Sequence, residues 1–161
     1  MITLTPTEQC DFDTFLEQEI VDYSQDKIKS GNWLAETALE KSRAEFMSLL
    51  PDGLQTKDQF IFTILDDTSQ TKLGVLWVQV KMDENPRQAF INDFVIEPQF
   101  RGQGFGKLAL QALDTKMEEM NVESIMLHVF AHNATAINLY EKMGYEVTNL
   151  YMRKSARIKS N

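Results

Sequence analysis

The stretch FVIEPQFRGQGFGK, residues 94–107, carries the clearest chemical information in this chain. An apolar strand pattern runs into a turn that has glycine at alternate positions, Gly102, Gly104 and Gly106, and a helix pattern begins at that turn. Because glycine has no Cβ, several backbone N–H groups can converge there, and a helix N-terminus adds unpaired donors and partial positive charge. The stretch therefore predicts a phosphate-binding turn between a strand and a helix.

Two widespread phosphate-binding motifs do not fit this turn. A Walker P-loop has four residues between its glycines and Ser or Thr after its lysine, whereas three residues separate Gly102 from Gly106 and Leu108 follows Lys107. A Rossmann fingerprint can be placed on residues 104–109, but only about 55 residues follow Gly106. The LHV sequence at 127–129 also stands where a ribose-binding acid is expected.

Working outward, the chain alternates between helix and strand patterns without repeats or linkers. The TPTE sequence at 5–8 predicts a helix start capped by Thr5, and apolar stripes predict two helices within residues 6–50. Further helices are predicted at 104–120 and 133–143, and strands at 1–5, 59–65, 72–80, 88–96, 124–130, 145–147 and 150–153. The fold class is thus α/β, a mixed sheet of order β-α-α-β-β-β-α-β-α-β-β with helices on both faces.

Composition narrows the class of protein. The 161 residues suit a single domain, 1–161, and the apolar share of 43% is ordinary for a globular chain. The N-terminus lacks a signal-peptide pattern and no apolar run approaches about 20 residues, so we expect a cytoplasmic protein without membrane contact. One cysteine and two histidines cannot form a disulfide or a Cys/His zinc site, so no metal is expected and Cys10 is predicted to be a buried filler.

The net charge of −8 is concentrated near the N-terminus. Residues 1–60 carry 12 Asp and Glu against 5 Lys and Arg. Acidic surfaces repel phosphate backbones, which argues against a nucleic-acid partner. Two alternatives stay open: the acids form ordinary solvated helix faces, or they favour a cationic substrate.

Two motifs together resemble the GNAT superfamily of N-acetyltransferases. RGQGFG at 101–106 matches the family pattern Arg/Gln-x-x-Gly-x-Gly/Ala, and NATAINLYEKMGY at 133–145 resembles its second signature, with Tyr145 where Phe is more usual. The resemblance covers residues 58–153, which implies an acetyl-coenzyme A-binding core there. Residues 6–50 match only in layout, as substrate-side helices that vary within the family.

The resemblance implies direct transfer of an acetyl group from acetyl-coenzyme A to a primary amine of a small molecule or peptide. The cofactor-binding residues that it implies lie on the strand, the turn and the second motif: Phe94, Val95, Ile96, Arg101, Gln103, Gly104, Phe105, Gly106, Lys107 and Asn133. The turn amides would hold the pyrophosphate, and the strand edge and Asn133 would contact the pantetheine arm.

Catalytic and acceptor residues are also implied by the resemblance. Tyr140 occupies the position of the family's phenol beside the sulfur, and His128 the position where some members place a carboxylate base. Asp93, Glu97 and water stay open as alternatives for the base. The alternatives are purely structural roles: Tyr140 would only pack its ring under the sheet, and His128 would face the core and bond a backbone carbonyl. Tyr23, Trp33 and Asp93 are candidate acceptor-binding residues, and His132 is expected to face solvent.

The same sequence features also fit other functions. A non-catalytic acyl-coenzyme A sensor could use the same turn, and the acyl group could differ from acetyl. The predicted terminal strand pair could build a homodimer.

Overall fold

A computed structural model describes residues 1–157 and contains a five-stranded sheet of order β1-β2-β3-β4-β5. The strands are β1 (Ile2–Pro6), β2 (Gln59–Asp66), β3 (Thr71–Val80), β4 (Arg87–Ile96) and β5 (Val122–Leu127). Neighbouring strands from β1 to β4 are antiparallel, and β4 and β5 are parallel. The predicted α/β fold class is confirmed, and β2, β3 and β4 form an antiparallel meander.

Four helices cover the sheet: α1 (Gln9–Lys29), α2 (Ala35–Leu49), α3 (Phe105–Glu119) and α4 (Ala134–Lys142). The alternation of side chains along β2 and β3 divides the core between the two faces. Leu76 and Val78 pack in the cluster that contains Leu110 and Leu113 of α3, whereas Ile61 and Trp77 pack in the cluster of Phe12, Phe15, Ile20 and Phe46 from α1 and α2. Helices therefore lie on both faces, as the sequence predicts.

The start of α1 differs from the expectation. Thr5 was predicted to cap the helix, but Thr5 and Pro6 are paired with Thr63 and Phe62 of β2, so their backbone belongs to the sheet. The helix begins at Gln9, after Glu8, and has no side-chain cap. Cys10, in its first turn, is exposed, so the prediction of a buried filler is wrong.

The predicted strands at 145–147 and 150–153 are absent from residues 1–157. Val147, Leu150, Tyr151 and Met152 are all exposed, so no sheet face supports an alternating pattern there. The Tyr145 N–H donates to the Tyr140 carbonyl, and Arg153 Nη1 donates to the Gly31 carbonyl at 2.7 Å. The homodimer expectation, which depended on that strand pair, loses its structural basis. Among the helices of residues 1–157, none combines the length and apolarity needed to cross a membrane.

Candidate active site

The pairing of the two parallel strands at one edge of the sheet stops about halfway along β4. β4 and β5 are paired from Arg87 and Val122 as far as Ile91 and Leu127, but β4 continues to Ile96. The sequence predicted that β5 extends to Phe130, whereas residues 128–130 leave the sheet. This early end of β5 opens a slot beside residues 92–96 of β4.

The backbone of β4 presents only some of its amides to this slot. The Glu97 N–H donates to the Leu73 carbonyl of β3 at 2.8 Å, and N–H directions alternate along an antiparallel strand. The amides of Phe94 and Ile96 therefore face the slot, and that of Val95 faces β3. The Ile96 carbonyl accepts from Arg101 Nε at 2.8 Å, which ties the following turn to the strand end.

A bulge in β4 decides where Asp93 points. Trp77 of β3 is opposite Asp93 and Val78 is opposite Ile91, so Asn92 is an extra residue in the ladder. Because Trp77 and Val78 point to opposite faces, Asp93 and Ile91 do so too. Ile91 is buried in the α3 cluster, and Asp93 faces α1.

Asp93 meets Glu19, a residue that the sequence analysis missed. The two carboxyl groups form a side-chain hydrogen bond, and Glu19 is 8% exposed. Burial, followed by the charge of Asp93, raises the pKa of Glu19; burial also raises the pKa of Asp93. The signal was present in the sequence, because Glu19 lies on the apolar stripe of α1, four residues from both Phe15 and Tyr23.

Aromatic side chains surround this pair on the acceptor side. The Tyr23 ring lines the cleft and contacts Trp33 edge-on at 5.6 Å between centroids, while Trp33 stands behind it rather than in the lining. Burial and a hydrogen bond to Glu45 raise the pKa of Tyr23. The Lys27 ammonium lies 5.4 Å from the Tyr23 centroid and 5.0 Å from that of Trp33.

The two histidines occupy different environments. His132 Nε2 lies 2.8 Å from Asp26 Oδ1, and its ring stacks on Phe130, so the expectation that it faces solvent is wrong. His128 lines the cleft and contacts Phe130 edge-on at 4.9 Å. Burial and the charge of Lys27 lower the pKa of His128.

Tyr140 approaches the slot from the opposite face of the sheet. Its ring lies 6.5 Å from that of Phe94 and 5.5 Å from that of Tyr145. Burial, with a contribution from the charge of Asp93, raises the pKa of Tyr140 to about 12. The hydroxyl of Tyr145 is buried and has no hydrogen-bond partner within residues 1–157.

The glycine turn leaves open space at the start of α3. Gly102 and Gly104 have φ of +71° and +85°, and a Cβ at either would meet no atom within 4 Å. Gly106 differs, because its Cβ would lie 3.0 Å from Leu139 Cδ2 of α4. The missing side chains of Gly102 and Gly104 thus keep the turn accessible, whereas Gly106 allows α3 and α4 to pack closely.

Asn133 caps α4, with its Oδ1 accepting from the Ala136 N–H at 3.2 Å. Away from the cleft, Glu8, Cys10 and Asp11 bring three ligand-type atoms within 4.8 Å of one another. Lys72 Nζ lies 2.6 Å from Asp11 Oδ2 and 3.6 Å from Glu8 Oε2, so an ammonium group already balances those acids.

Comparison with known proteins gives a consistent result. The sequence profile described as "Acetyltransferase (GNAT) family" matches residues 25–145. The uncharacterized N-acetyltransferases YdgE and YycN of Bacillus subtilis are 36% identical over 94% of this chain and 37% identical over 95% of it, covering 96% and 97% of their own lengths. The [Ribosomal protein bS18]-alanine N-acetyltransferase of Escherichia coli K12 is 36% identical over 42% of this chain and 43% of its own.

A solved structure agrees with these sequence relatives. The crystal structure of the putative acetyltransferase YycN superposes with a TM-score of 0.94 at 35% identity, covering 98% of this chain and all of the other. With the splayed strands and the glycine turn in place, the chain is a member of the GNAT family of N-acetyltransferases.

Proposed function

We propose that this protein transfers an acetyl group from acetyl-coenzyme A to a primary amine by direct attack within a ternary complex. One observation carries the proposal: the slot between β4 and β5 joins a glycine turn, a tyrosine and a carboxyl pair in one continuous cleft. A thioester in that slot would have a hydrogen-bond donor on one side and a proton acceptor on the other. Cys10 lies outside the cleft, and an exposed thiol there cannot act on the thioester.

The residues present fit acetyl-coenzyme A. The space in front of Gly102 and Gly104 accommodates a pyrophosphate beside the N-terminus of α3, where the amides of residues 103–107 supply donors. The free edge of β4 at Phe94–Ile96 matches the amides of a pantetheine arm, which would add to the sheet like a strand. Arg101 and Asn133 flank this path, although each also has an intramolecular hydrogen bond.

Tyr140 is the proposed general acid. With a pKa raised to about 12, its hydroxyl stays protonated throughout the physiological range and can donate to the leaving thiolate. The slot-facing amide of Ile96 is the proposed donor to the oxyanion, because that of Phe94 donates to Asp93 Oδ1. His128 is a candidate for the base, because its lowered pKa keeps the imidazole neutral near pH 7.

We further propose that the acceptor is cationic. Asp22, Asp26 and Glu45 line the same cleft as Tyr23, so the acceptor side combines negative charge with an aromatic surface. Lys27 already places an ammonium over that surface, which illustrates that it suits a cation. Small polyamines, basic peptides and protein N-termini all have this chemistry.

The test measures free thiol release from acetyl-coenzyme A with a panel of amines, and mass spectrometry identifies the acetylated product. We expect turnover with at least one cationic amine and none without an acceptor. Tight coenzyme A binding without thiol release for any amine would indicate an acyl-coenzyme A sensor instead. Faster turnover with succinyl-coenzyme A or another acyl-coenzyme A would mean that the transferred group is not acetyl.

A further inference from the structure

We propose that Glu19 and Asp93 act as one proton-sharing unit, in which Asp93 takes the proton of the acceptor amine and Glu19 positions it. This inference rests on the proposed function, because it names the base of the same transfer. Glu19 is a residue of α1, outside both sequence motifs.

The position of Asp93 is the first argument. Its Oδ1 accepts a hydrogen bond of 2.9 Å from the Phe94 N–H, one of the two β4 amides that face the slot. A carboxylate oxygen therefore lies on the slot-facing edge of β4, the edge that also carries the Ile96 amide that would polarise the thioester carbonyl. An amine that attacks this carbonyl comes within reach of Asp93, directly or through one water.

The protonation of Glu19 is the second argument. Two ionised carboxylates cannot share a hydrogen bond, so one of the pair keeps a proton. Glu19 is more than nine-tenths buried, and burial together with the charge of Asp93 raises its pKa further than the pKa of Asp93 is raised, so the proton rests on Glu19. Glu19 then donates to Asp93, which lowers the pKa of Asp93 against the opposing effect of burial.

Titratable and charged groups face the pair from several neighbouring elements. The titratable and charged groups that line the cleft around it are Asp22, Asp26 and Lys27 of α1, Glu45 of α2, Tyr140 of α4, and His128 and His132 after β5. The negative charges of Asp22 and Asp26 raise the pKa of both members of the pair. They favour proton uptake by Asp93 and attract the ammonium that delivers it.

His128 is the rival base, and its geometry is weaker. A base is normally oriented by a hydrogen bond from a third group. Asp93 has two such donors, Phe94 and Glu19, whereas within residues 1–157 His128 has no hydrogen bond and contacts the Phe130 ring. The charge of Lys27 also lowers the basicity of His128.

The proton balance is complete. The acceptor ammonium gives one proton to Asp93, which passes it to solvent, and the free amine forms a C–N bond with the thioester carbon. The nitrogen loses its second proton as the C–S bond breaks, and the sulfur leaves with a proton from Tyr140, which that second proton replaces. The products are one amide, one thiol and one released proton, and no other reactant is needed.

Two measurements test the unit, and the first does not need turnover. Infrared difference spectroscopy of the whole protein at pH 7 should show the carbonyl stretch of a protonated carboxylic acid, lost in Glu19→Gln and retained in the matched control Glu17→Gln. Glu17 is an exposed neighbour on α1 that pairs with Arg43. Absence of the band, or its persistence in Glu19→Gln, would overturn proton sharing.

The second measurement is the pH dependence of kcat/KM for the best amine. Asp93→Asn should lower kcat/KM about 10²–10⁴-fold and remove the acidic limb. Glu19→Leu, which cannot donate to Asp93, should move the limb upward by about one pH unit, and Glu19→Gln, which can, should leave it in place. If the acidic limb is lost in His128→Gln and retained in Asp93→Asn, the assignment of Asp93 as the base is wrong. If no amine releases thiol while the infrared band is present, the proposed function fails, and with it the catalytic role of the pair.

Discussion

The two walls of the cleft are built from different parts of the polypeptide. The wall formed by β4, the glycine turn and α3 offers backbone groups: slot-facing amides, glycines with open space and a helix N-terminus. The wall formed by α1 and the end of α2 offers side chains: Glu19 of the carboxyl pair, further acids and aromatic rings. Both meet at Asp93 and Phe94, adjacent residues whose side chains face opposite walls.

This difference indicates what each wall can recognise. A backbone wall depends little on side-chain identity, so it suits a constant ligand, as a coenzyme is. A side-chain wall changes with each substitution and suits a ligand that differs between relatives. We therefore expect substitutions on the first wall to alter donor binding or chemistry for every acceptor, and those on the second to act through charge and proton affinity.

The largest expected effect is on chemistry at the slot. Tyr140→Phe keeps the ring and removes the proton, so kcat should fall about 10²–10⁴-fold with little change in coenzyme A affinity. Tyr145→Phe is the matched control, because it makes the same change in the adjacent ring. Equal rates for Tyr140→Phe and wild type, with chemistry rate-limiting, would exclude Tyr140 as the acid.

The backbone wall can be broken at Gly104. A Cβ would enter the open space of the turn, so Gly104→Ala should raise the Kd for coenzyme A by about tenfold or more, measured by calorimetry. Gly53→Ala is the control, since Gly53 also has positive φ, +56°, but lies outside the cleft. Both variants carry backbone strain, so a similar loss of affinity in both would show that strain, and not the occupied space, weakens binding.

Glu19, on the side-chain wall, should make the stability of the protein depend on pH. The pKa of Glu19 is raised on folding, so the native state binds a proton that the unfolded state releases above its ordinary pKa of 4.5. The contribution of the Glu19 proton to the free energy of unfolding is therefore fully present below about pH 4.5. It falls as the pH rises towards the native pKa of Glu19, by at most about 1.4 kcal/mol per pH unit.

Glu19→Gln removes this dependence. Its melting temperature should exceed that of wild type by a margin that widens from pH 5 to pH 9, at about 2–4 °C for each kcal/mol. Differential scanning calorimetry across that range measures it, with Glu17→Gln as the exposed control. A constant gap, or none, would mean that Glu19 is ionised in the folded protein.

The smallest expected effect is at Tyr145. Its buried hydroxyl lacks a partner, and an unsatisfied polar atom costs about 1–3 kcal/mol, partly offset by the packing of its oxygen. Tyr145→Phe should therefore leave the free energy of unfolding unchanged or raise it by about 1 kcal/mol, measured by urea denaturation. A clear loss of stability would mean that the hydroxyl has a partner.

The sequence predicted the backbone wall better than the side-chain wall, for physical reasons. Glycines at alternate positions and a helix start are local signals, so the turn, α3 and α4 were placed to within about two residues. The Glu19–Asp93 contact joins residues 74 positions apart, through a bulge at Asn92 that no local pattern reveals. The end of β5 at Leu127 is also a tertiary effect, because HVF at 128–130 has strand propensity but the pairing of β5 with β4 stops at Ile91, immediately before the bulge at Asn92.

The extra residue at Asn92 has a consequence for how this strand can change. Because Asn92 interrupts the alternation of side-chain direction, counting along β4 from one side of Asn92 predicts the wrong face of the sheet for the residues on the other side. Deleting Asn92 would make Ile91 and Asp93 neighbours opposite Val78 and Trp77, which restores a regular ladder and leaves Ala89 and Ile91 in the α3 core and the facing of Phe94–Ile96 unchanged. Deletion of Asn92 should therefore preserve side-chain direction along β4, and substitutions at Asn92 itself, whose Nδ2 contacts Gln59 Oε1 at 3.3 Å, should be tolerated.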